Sequence, residues 1–134
     1  MKYFTMGEMM HSDTAAKKGI NNKCTKEDAE RLKKLIENVL DPLREAYGKP
    51  IKVTSGYRCH ELNKAVGGSK TSEHCKGMAA DIVGTPNTKV ENKRLFYLAQ
   101  SIGIKWTQLI NEKNFTWVHI SYNEDNLKNQ VLAL

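Results

Sequence analysis

Two residues with metal-binding side chains stand close together in "SEHCKGMAAD", residues 72–81. His74 and Asp81 lie seven positions apart around Gly77, in a stretch too interrupted for a regular amphipathic helix. A third such residue, His119, follows in "FTWVHISY". Imidazole nitrogens and carboxylate oxygens are zinc ligands, and three protein ligands leave a fourth tetrahedral position open, as a catalytic zinc site requires.

The surrounding elements predict how these side chains could meet. Alternation in "FTWVHISY" places Val118 and Ile120 on one face of a strand and His119 on the other. "MAADIV" predicts a second strand that presents Asp81 in the same way, while His74 arrives from the adjoining loop. Spacing alone supports an open zinc site and a set of ordinary hydrogen-bonded residues equally well. Two further histidines are interpreted as hydrogen-bonded core or surface residues: His11 and His60.

The remaining patterns predict an α+β fold, with a small, mostly antiparallel sheet packed on helices. Thr25 begins the clearest helix with the T-x-x-D pattern of a capping box, and Pro42 should kink that helix or restart it with Asp41 as a new N-cap. A second helix is predicted from Val90 to Ile102. Strands are expected in "IKVTSGYR", "MAADIV", "WTQLIN" and "FTWVHISY", with a hairpin joining the last two, and a brief helix in "HELNKAV".

Length and composition indicate one globular domain, residues 1–134. No apolar run approaches the roughly 20 residues that span a bilayer. The net charge of +6 favours polyanionic partners, but the lysines are scattered among glutamates and aromatic residues make up only 7%, which argues against a nucleic-acid binder. We expect a monomer that binds neither nucleic acid nor membranes.

Cysteine usage favours a reduced compartment, because three cysteines cannot all pair within one chain and none forms a C-x-x-C motif. They are interpreted as small, partly buried thiols rather than as metal ligands. The three are Cys24, Cys59 and Cys75.

Three motifs resemble those of the M15 family of zinc peptidases. "SGYR" at 55–58, "SEHCKGMAAD" at 72–81 and "WVHIS" at 117–121 look like its S-G-x-R, S-x-H-x-x-G-x-A-x-D and terminal histidine motifs. The resemblance also covers "DPLREAYGKPIKVTSGYR", "LNKAVGGS" and "QLINE", and is greatest to the compact, single-domain branch of phages and prophages. It implies a hedgehog/DD-peptidase-like fold.

The resemblance implies zinc (Zn2+) held by His74, Asp81 and His119. Arg58 would lie beside the metal and bind the oxyanion of a tetrahedral intermediate or a substrate carboxylate, rather than being a charge that faces solvent. It also implies two hydroxyl groups on the substrate side or behind the ligands: Ser55 and Ser72.

The general base is not carried over directly from the family. Many relatives have Glu or Asp three residues before the last histidine, where this chain has Thr116. Glu112, at the end of "QLINE", could reach across the predicted hairpin toward His119 and serve as the base. The alternative is an exposed glutamate at the tip of the hairpin.

These implications predict a zinc-dependent peptidase that hydrolyses an amide bond of the peptidoglycan stem peptide, as a cell-wall lytic enzyme of the phage endolysin type. D,D-carboxypeptidase and L-alanyl-D-glutamate endopeptidase activities both stay open. A non-catalytic wall-binding or virion module is the alternative that Thr116 favours, and a nucleic-acid binder ranks last. Residues 1–13 lack a signal-peptide pattern, which predicts a cytoplasmic protein that is released to the wall through a holin-type pore or carried in the virion.

Overall fold

The computed structural model of the protein describes residues 1–134 and consists of six α-helices and one five-stranded sheet. The helices are α1 (Met6–Met10), α2 (Asp13–Lys18), α3 (Lys26–Leu35), α4 (Asp41–Tyr47), α5 (His60–Ala65) and α6 (Lys89–Ser101). The strands are β1 (Lys52–Ser55), β2 (Ala79–Val83), β3 (Gln108–Glu112), β4 (Trp117–Ser121) and β5 (Gln130–Ala133). A π-helical turn (Ile36–Leu40) joins α3 to α4, and a 3-10 helix (Glu73–Lys76) precedes β2. None of the helices combines the length and apolar character that crossing a bilayer requires.

The sheet has the strand order β1-β2-β4-β3-β5. Every neighbouring pair is antiparallel except β3 and β5, which are parallel. The predicted α+β class is therefore confirmed, as is the hairpin of β3 and β4. The sequence does not predict β5, because its four residues are too short an alternation to stand out and its pairing depends on β3.

Helix α3 begins as predicted, since the Thr25 hydroxyl accepts a hydrogen bond from the backbone N–H of Asp28 at 3.1 Å. Of the two alternatives at Pro42, a kink or a restart, the restart with Asp41 as N-cap is wrong. The residue before α4 is Leu40 in a helical conformation, and the Asp41 carboxylate instead accepts hydrogen bonds from the backbone of Lys2 and Tyr3. Proline disrupts the i to i−4 pattern, and the chain accommodates Pro42 with the π-helical turn instead of a new cap.

The hydrophobic core joins one face of the sheet to α3, the π-helical turn and α6. Each fully buried Leu or Ile side chain there stabilises the fold by about 1.5–3 kcal/mol. Because side chains alternate along a strand, the residues between the core positions of β2 and β4 project from the opposite face of the sheet. The core includes Leu32, Leu35, Ile36, Ile82, Leu95, Leu109, Val118 and Ile120.

A buried carboxylate fastens α6 to the segment that follows α4. Glu91 is 8% exposed, and it accepts hydrogen bonds from Lys49, from the Tyr47 hydroxyl at 2.5 Å and from Arg94 at 3.1 Å. The hydrogen bonds from Lys49 and Tyr47 lower the pKa of Glu91 to about 2. The ionised form of Glu91 is therefore the one that stabilises the folded state.

We expect Glu91→Gln to lower the thermal unfolding temperature at pH 7. The pKa of Glu91 is lower in the folded state than its ordinary value of 4.5, so its contribution is complete above that pH and is lost as the pH falls toward about 2. The difference in unfolding temperature between wild type and variant should disappear as the pH falls from 4.5 toward about 2, as measured by thermal denaturation followed by circular dichroism. Glu30→Gln, on the exposed side of α3, is the matched control, and a gap independent of pH would contradict the assignment.

Candidate metal centre

Three side chains converge on the sheet face opposite the core: His74, Asp81 and His119. Asp81 on β2 and His119 on β4 are directly paired across the two strands, so both project from the same face. Oδ1 of Asp81 lies 3.0 Å from Nδ1 of His119 and 3.3 Å from Nε2 of His74. The structure thus brings together the three residues on which the sequence prediction depends, and one ligand atom from each lies within 4.8 Å of the others.

The protonation of His74 follows from its backbone partner. Its Nδ1 lies 2.7 Å from the carbonyl oxygen of Gly56, and a carbonyl can only accept, so Nδ1 carries the proton and donates it. In the neutral ring the lone pair is then on Nε2, which faces the Asp81 carboxylate. Two electron-rich atoms at this separation call for a cation or a proton between them.

This donor set fits zinc. Tetrahedral zinc with bonds of about 2.0–2.2 Å has ligand atoms about 3.3–3.6 Å apart. The two separations at Asp81, 3.0 and 3.3 Å, are close to those values. Two imidazoles and one carboxylate also leave a fourth position without a protein ligand, which distinguishes catalytic zinc sites from structural ones.

Asp81 supplies a buried negative charge to this group. Burial alone would raise the pKa of Asp81, but its close contacts with the His119 and His74 rings outweigh that effect and keep the pKa well below its usual range. The Arg58 guanidinium adds a third neighbour, with Nη2 lying 3.6 Å from Asp81 Oδ2. Asp81 is therefore ionised, as a metal ligand must be.

Arg58 lies beside the three residues, and the alternative of a solvent-facing charge is wrong because its side chain is only 14% exposed. Its Nε donates to the Ser55 hydroxyl and its Nη1 to Oδ1 of Asn63, both at 3.0 Å. The Ser72 hydroxyl accepts a hydrogen bond from the backbone N–H of His74 and begins the 3-10 helix. Each serine thus makes a hydrogen bond to a site residue, Ser55 to Arg58 and Ser72 to His74.

Asn63 is a residue that the sequence analysis missed. It is 4% exposed, and it binds the Ser69 carbonyl as well as Arg58. A Cβ at Gly68 would lie 2.0 Å from Oδ1 of Asn63 and 2.7 Å from Nη1 of Arg58, so only glycine leaves room for this pair. The signal was present in "LNKAVGGS", but a short helix followed by two glycines also describes an ordinary loop.

Glu112 and Thr116 occupy different parts of the β3–β4 hairpin. Glu112 is the last residue of β3 and lies opposite Trp117. It is on the same face as His119 and is diagonal to it, and the Cα atoms of such diagonal neighbours are about 7–8 Å apart. It is partly buried and lies within the strand, so it is not at the hairpin tip. Thr116 is exposed, and its hydroxyl donates to the Lys113 carbonyl of the turn.

Gly77 forms a tight turn between His74 and Asp81, with a φ of +74° that favours glycine. Its lack of a side chain also permits a close packing contact. A Cβ at Gly77 would lie 2.4 Å from the carbonyl oxygen of Asp28, so the close contact is with the backbone of α3.

The other candidate ligands lie outside the group of three. All three cysteines are free thiols, and burial raises the pKa of Cys24 and Cys75. The Cys59 sulfur accepts a hydrogen bond from the backbone N–H of Leu62 at the start of α5. The remaining histidines, His11 and His60, are exposed.

A surface cleft of about 460 Å³ opens next to Arg58. It lies between β1 and residues 11–14 at the start of α2, and Ser55 and Arg58 form part of its wall. None of the three converging residues lines the cleft, and the link between them is Arg58, which lies in the cleft wall and contacts Asp81.

Comparison with known proteins assigns the chain to a family. A search of curated proteins finds no match. The model of the family described as Peptidase M15 matches residues 2–121, a range that includes β1 to β4 and all three converging residues. By this match over most of its length, the protein belongs to the peptidase M15 family.

Proposed function

We propose that this protein is a zinc-dependent peptidase that hydrolyses an amide bond in the peptidoglycan stem peptide. The observation that carries the proposal is the convergence of His74, Asp81 and His119, in contact with Arg58, which lines an open cleft. Family membership supports a peptidase, and an M15 peptidase would act on peptidoglycan peptides. We further propose that residues 1–134 act as one monomeric domain at the cell wall, after release from the cytoplasm or as part of a phage particle.

Zinc would be held by Nε2 of His74, a carboxylate oxygen of Asp81 and a ring nitrogen of His119. When bound, zinc supplies Lewis acidity toward a substrate carbonyl and lowers the pKa of water. Because Nδ1 of His74 donates to the Gly56 carbonyl, Nε2 is the nitrogen that would bind the metal, and the ionised Asp81 would supply the negative charge.

Arg58 would bind negative charge on the substrate side of the site. Its guanidinium is held by Ser55 and Asn63 and keeps its positive charge at all working pH values. A cation fixed in advance stabilises a developing oxyanion more than a mobile one, because little reorganisation is needed during the reaction. The same cation could bind a carboxylate of the stem peptide.

Glu112 would be the general base and then the general acid, taking a proton from water and giving it to the leaving amine. Its position on the His119 face of the hairpin supports this role. The exposed Thr116 cannot replace it, because a hydroxyl is too weak a base at neutral pH. If Glu112 does not serve, the alternative is a wall-binding or virion module that keeps the fold and the metal.

We expect the purified protein to contain stoichiometric zinc, and His119→Ala to lose most of it, because two ligands bind the ion much less tightly than three. Metal content would be measured by mass spectrometry after dialysis in zinc-replete buffer. His60→Ala, at an exposed histidine, should keep full occupancy. Wild-type protein without zinc, or a His119→Ala variant with unchanged zinc, would contradict the assignment.

We expect Glu112→Gln to lower kcat by roughly 10²–10⁴-fold while zinc content stays unchanged. The amide has the size of the carboxylate but cannot accept the proton. Hydrolysis would be followed on purified peptidoglycan, with Glu61→Gln on the exposed side of α5 as the control. If both variants clear cell walls like wild type, Glu112 is not the base; if wild type binds zinc but clears none, the wall-binding alternative is correct.

We expect cleavage inside the stem peptide rather than removal of a terminal residue, because the cleft beside Arg58 is open at the surface. Mass spectrometry of digested muropeptides separates the two outcomes. Release of a multi-residue fragment indicates an endopeptidase. Loss of a single terminal alanine would instead indicate a carboxypeptidase, in which Arg58 would be the candidate to bind the free carboxylate.

A further inference from the structure

The turn formed by residues 56–59 serves two site residues at once. The Gly56 carbonyl accepts the His74 Nδ1 proton at 2.7 Å, and the Arg58 backbone N–H donates to the His74 carbonyl at 3.1 Å. The same turn carries the Arg58 side chain. A shift of this backbone would therefore move the guanidinium relative to Asp81.

Asn22 holds this turn from the N-terminal side. Its Oδ1 accepts the backbone N–H of Cys59 at 2.8 Å, and its Nδ2 donates to the carbonyl of Tyr57 at 2.9 Å. The second proton of Nδ2 goes to the carbonyl of Met10 at 2.8 Å. One amide therefore binds the backbone on both sides of Arg58 and ties it to the end of α1.

A second contact joins the end of α1 to the turn at residues 56–59. The Tyr57 backbone N–H donates to the Met9 carbonyl at 2.6 Å, and a Cβ at Gly56 would lie 2.3 Å from that oxygen. The N-terminal segment and the turn are therefore in direct backbone contact, with Asn22 beside it. Two donors and one acceptor on a single short side chain are needed here, which asparagine supplies and aspartate, with no donors, does not.

We propose that Asn22 is the positioning residue for Arg58. It acts through the backbone of Tyr57 and Cys59, and so sets where the guanidinium meets Ser55, Asn63 and Asp81. The catalytic consequence rests on the proposed peptidase function, whereas the placement of Arg58 does not. Asn21, the exposed neighbour with the same side chain, offers a matched control.

The placement is tested without any activity measurement. Arg58 Nε–H donates to Ser55, so its ¹H–¹⁵N signal should be resolved in NMR spectra and can be identified by its disappearance in Arg58→Lys. We expect Asn22→Ala and Asn22→Asp to shift or broaden this signal, and Asn21→Ala to leave it in place. An unchanged Arg58 signal in folded Asn22→Ala would overturn the proposal.

The consequence for catalysis is tested by a double-mutant cycle. We expect Asn22→Ala to lower kcat/KM by roughly 10- to 100-fold with zinc content unchanged. The same substitution in an Arg58→Ala background should have almost no further effect, because both act through one group. Equal losses in both backgrounds, or loss of zinc in Asn22→Ala, would show a general structural role and overturn the proposal.

If wild-type protein cleaves no peptidoglycan, the proposed function fails while the NMR result still decides the role of Asn22.

Discussion

The arrangement of this site depends on one buried negative charge. Asp81 is 9% exposed and belongs to β2, in which every residue is buried. Removing a carboxylate from water costs several kcal/mol unless charged or hydrogen-bonding partners offset the loss. The partners here are His119, His74 and Arg58, which come from a neighbouring strand, a 3-10 helix and a turn. Each of these elements must therefore be held in place for the charge to be tolerated.

The sheet register provides the first of these constraints. Asp81 pairs with His119 and Ser55 pairs with Asp81, so the neighbouring strands β1, β2 and β4 carry these polar residues at one level of the sheet. A slip of one residue between β2 and β4 would exchange the core face and the site face. The buried Ile82 and Ile120 oppose such a slip, because it would expose them to water. Core packing on one face of the sheet thus maintains the chemistry on the other.

Hydrogen bonds to the partners provide the second constraint. The Gly56 carbonyl fixes Nδ1 as the ring nitrogen of His74 that carries a proton. Hydrogen bonds to Ser55 and Asn63 orient the Arg58 guanidinium. Every buried polar side-chain atom in the structure has a hydrogen-bond partner. A site built in this way is preorganised, since its side chains need not reorient when substrate arrives. Much of that organisation comes from α1 and the segment after α2, for which the sequence predicts no element because their periodic stretches are too short.

The amino-acid sequence alone accounts for the kinds of residue in the site and for their local geometry. Alternation in "FTWVHISY" and "MAADIV" places His119 and Asp81 on the face opposite the core residues beside them. The Thr25 cap and the β3–β4 hairpin also depend only on residues that are close in sequence. Other features depend on contacts between distant segments: the proton on His74, the three partners of Arg58 and the parallel pairing of β5. Even the contact between Asp81 and His119 joins residues 38 positions apart. These features arise only when the chain folds, because hydrogen bonds and burial across such separations leave no periodic pattern in the sequence.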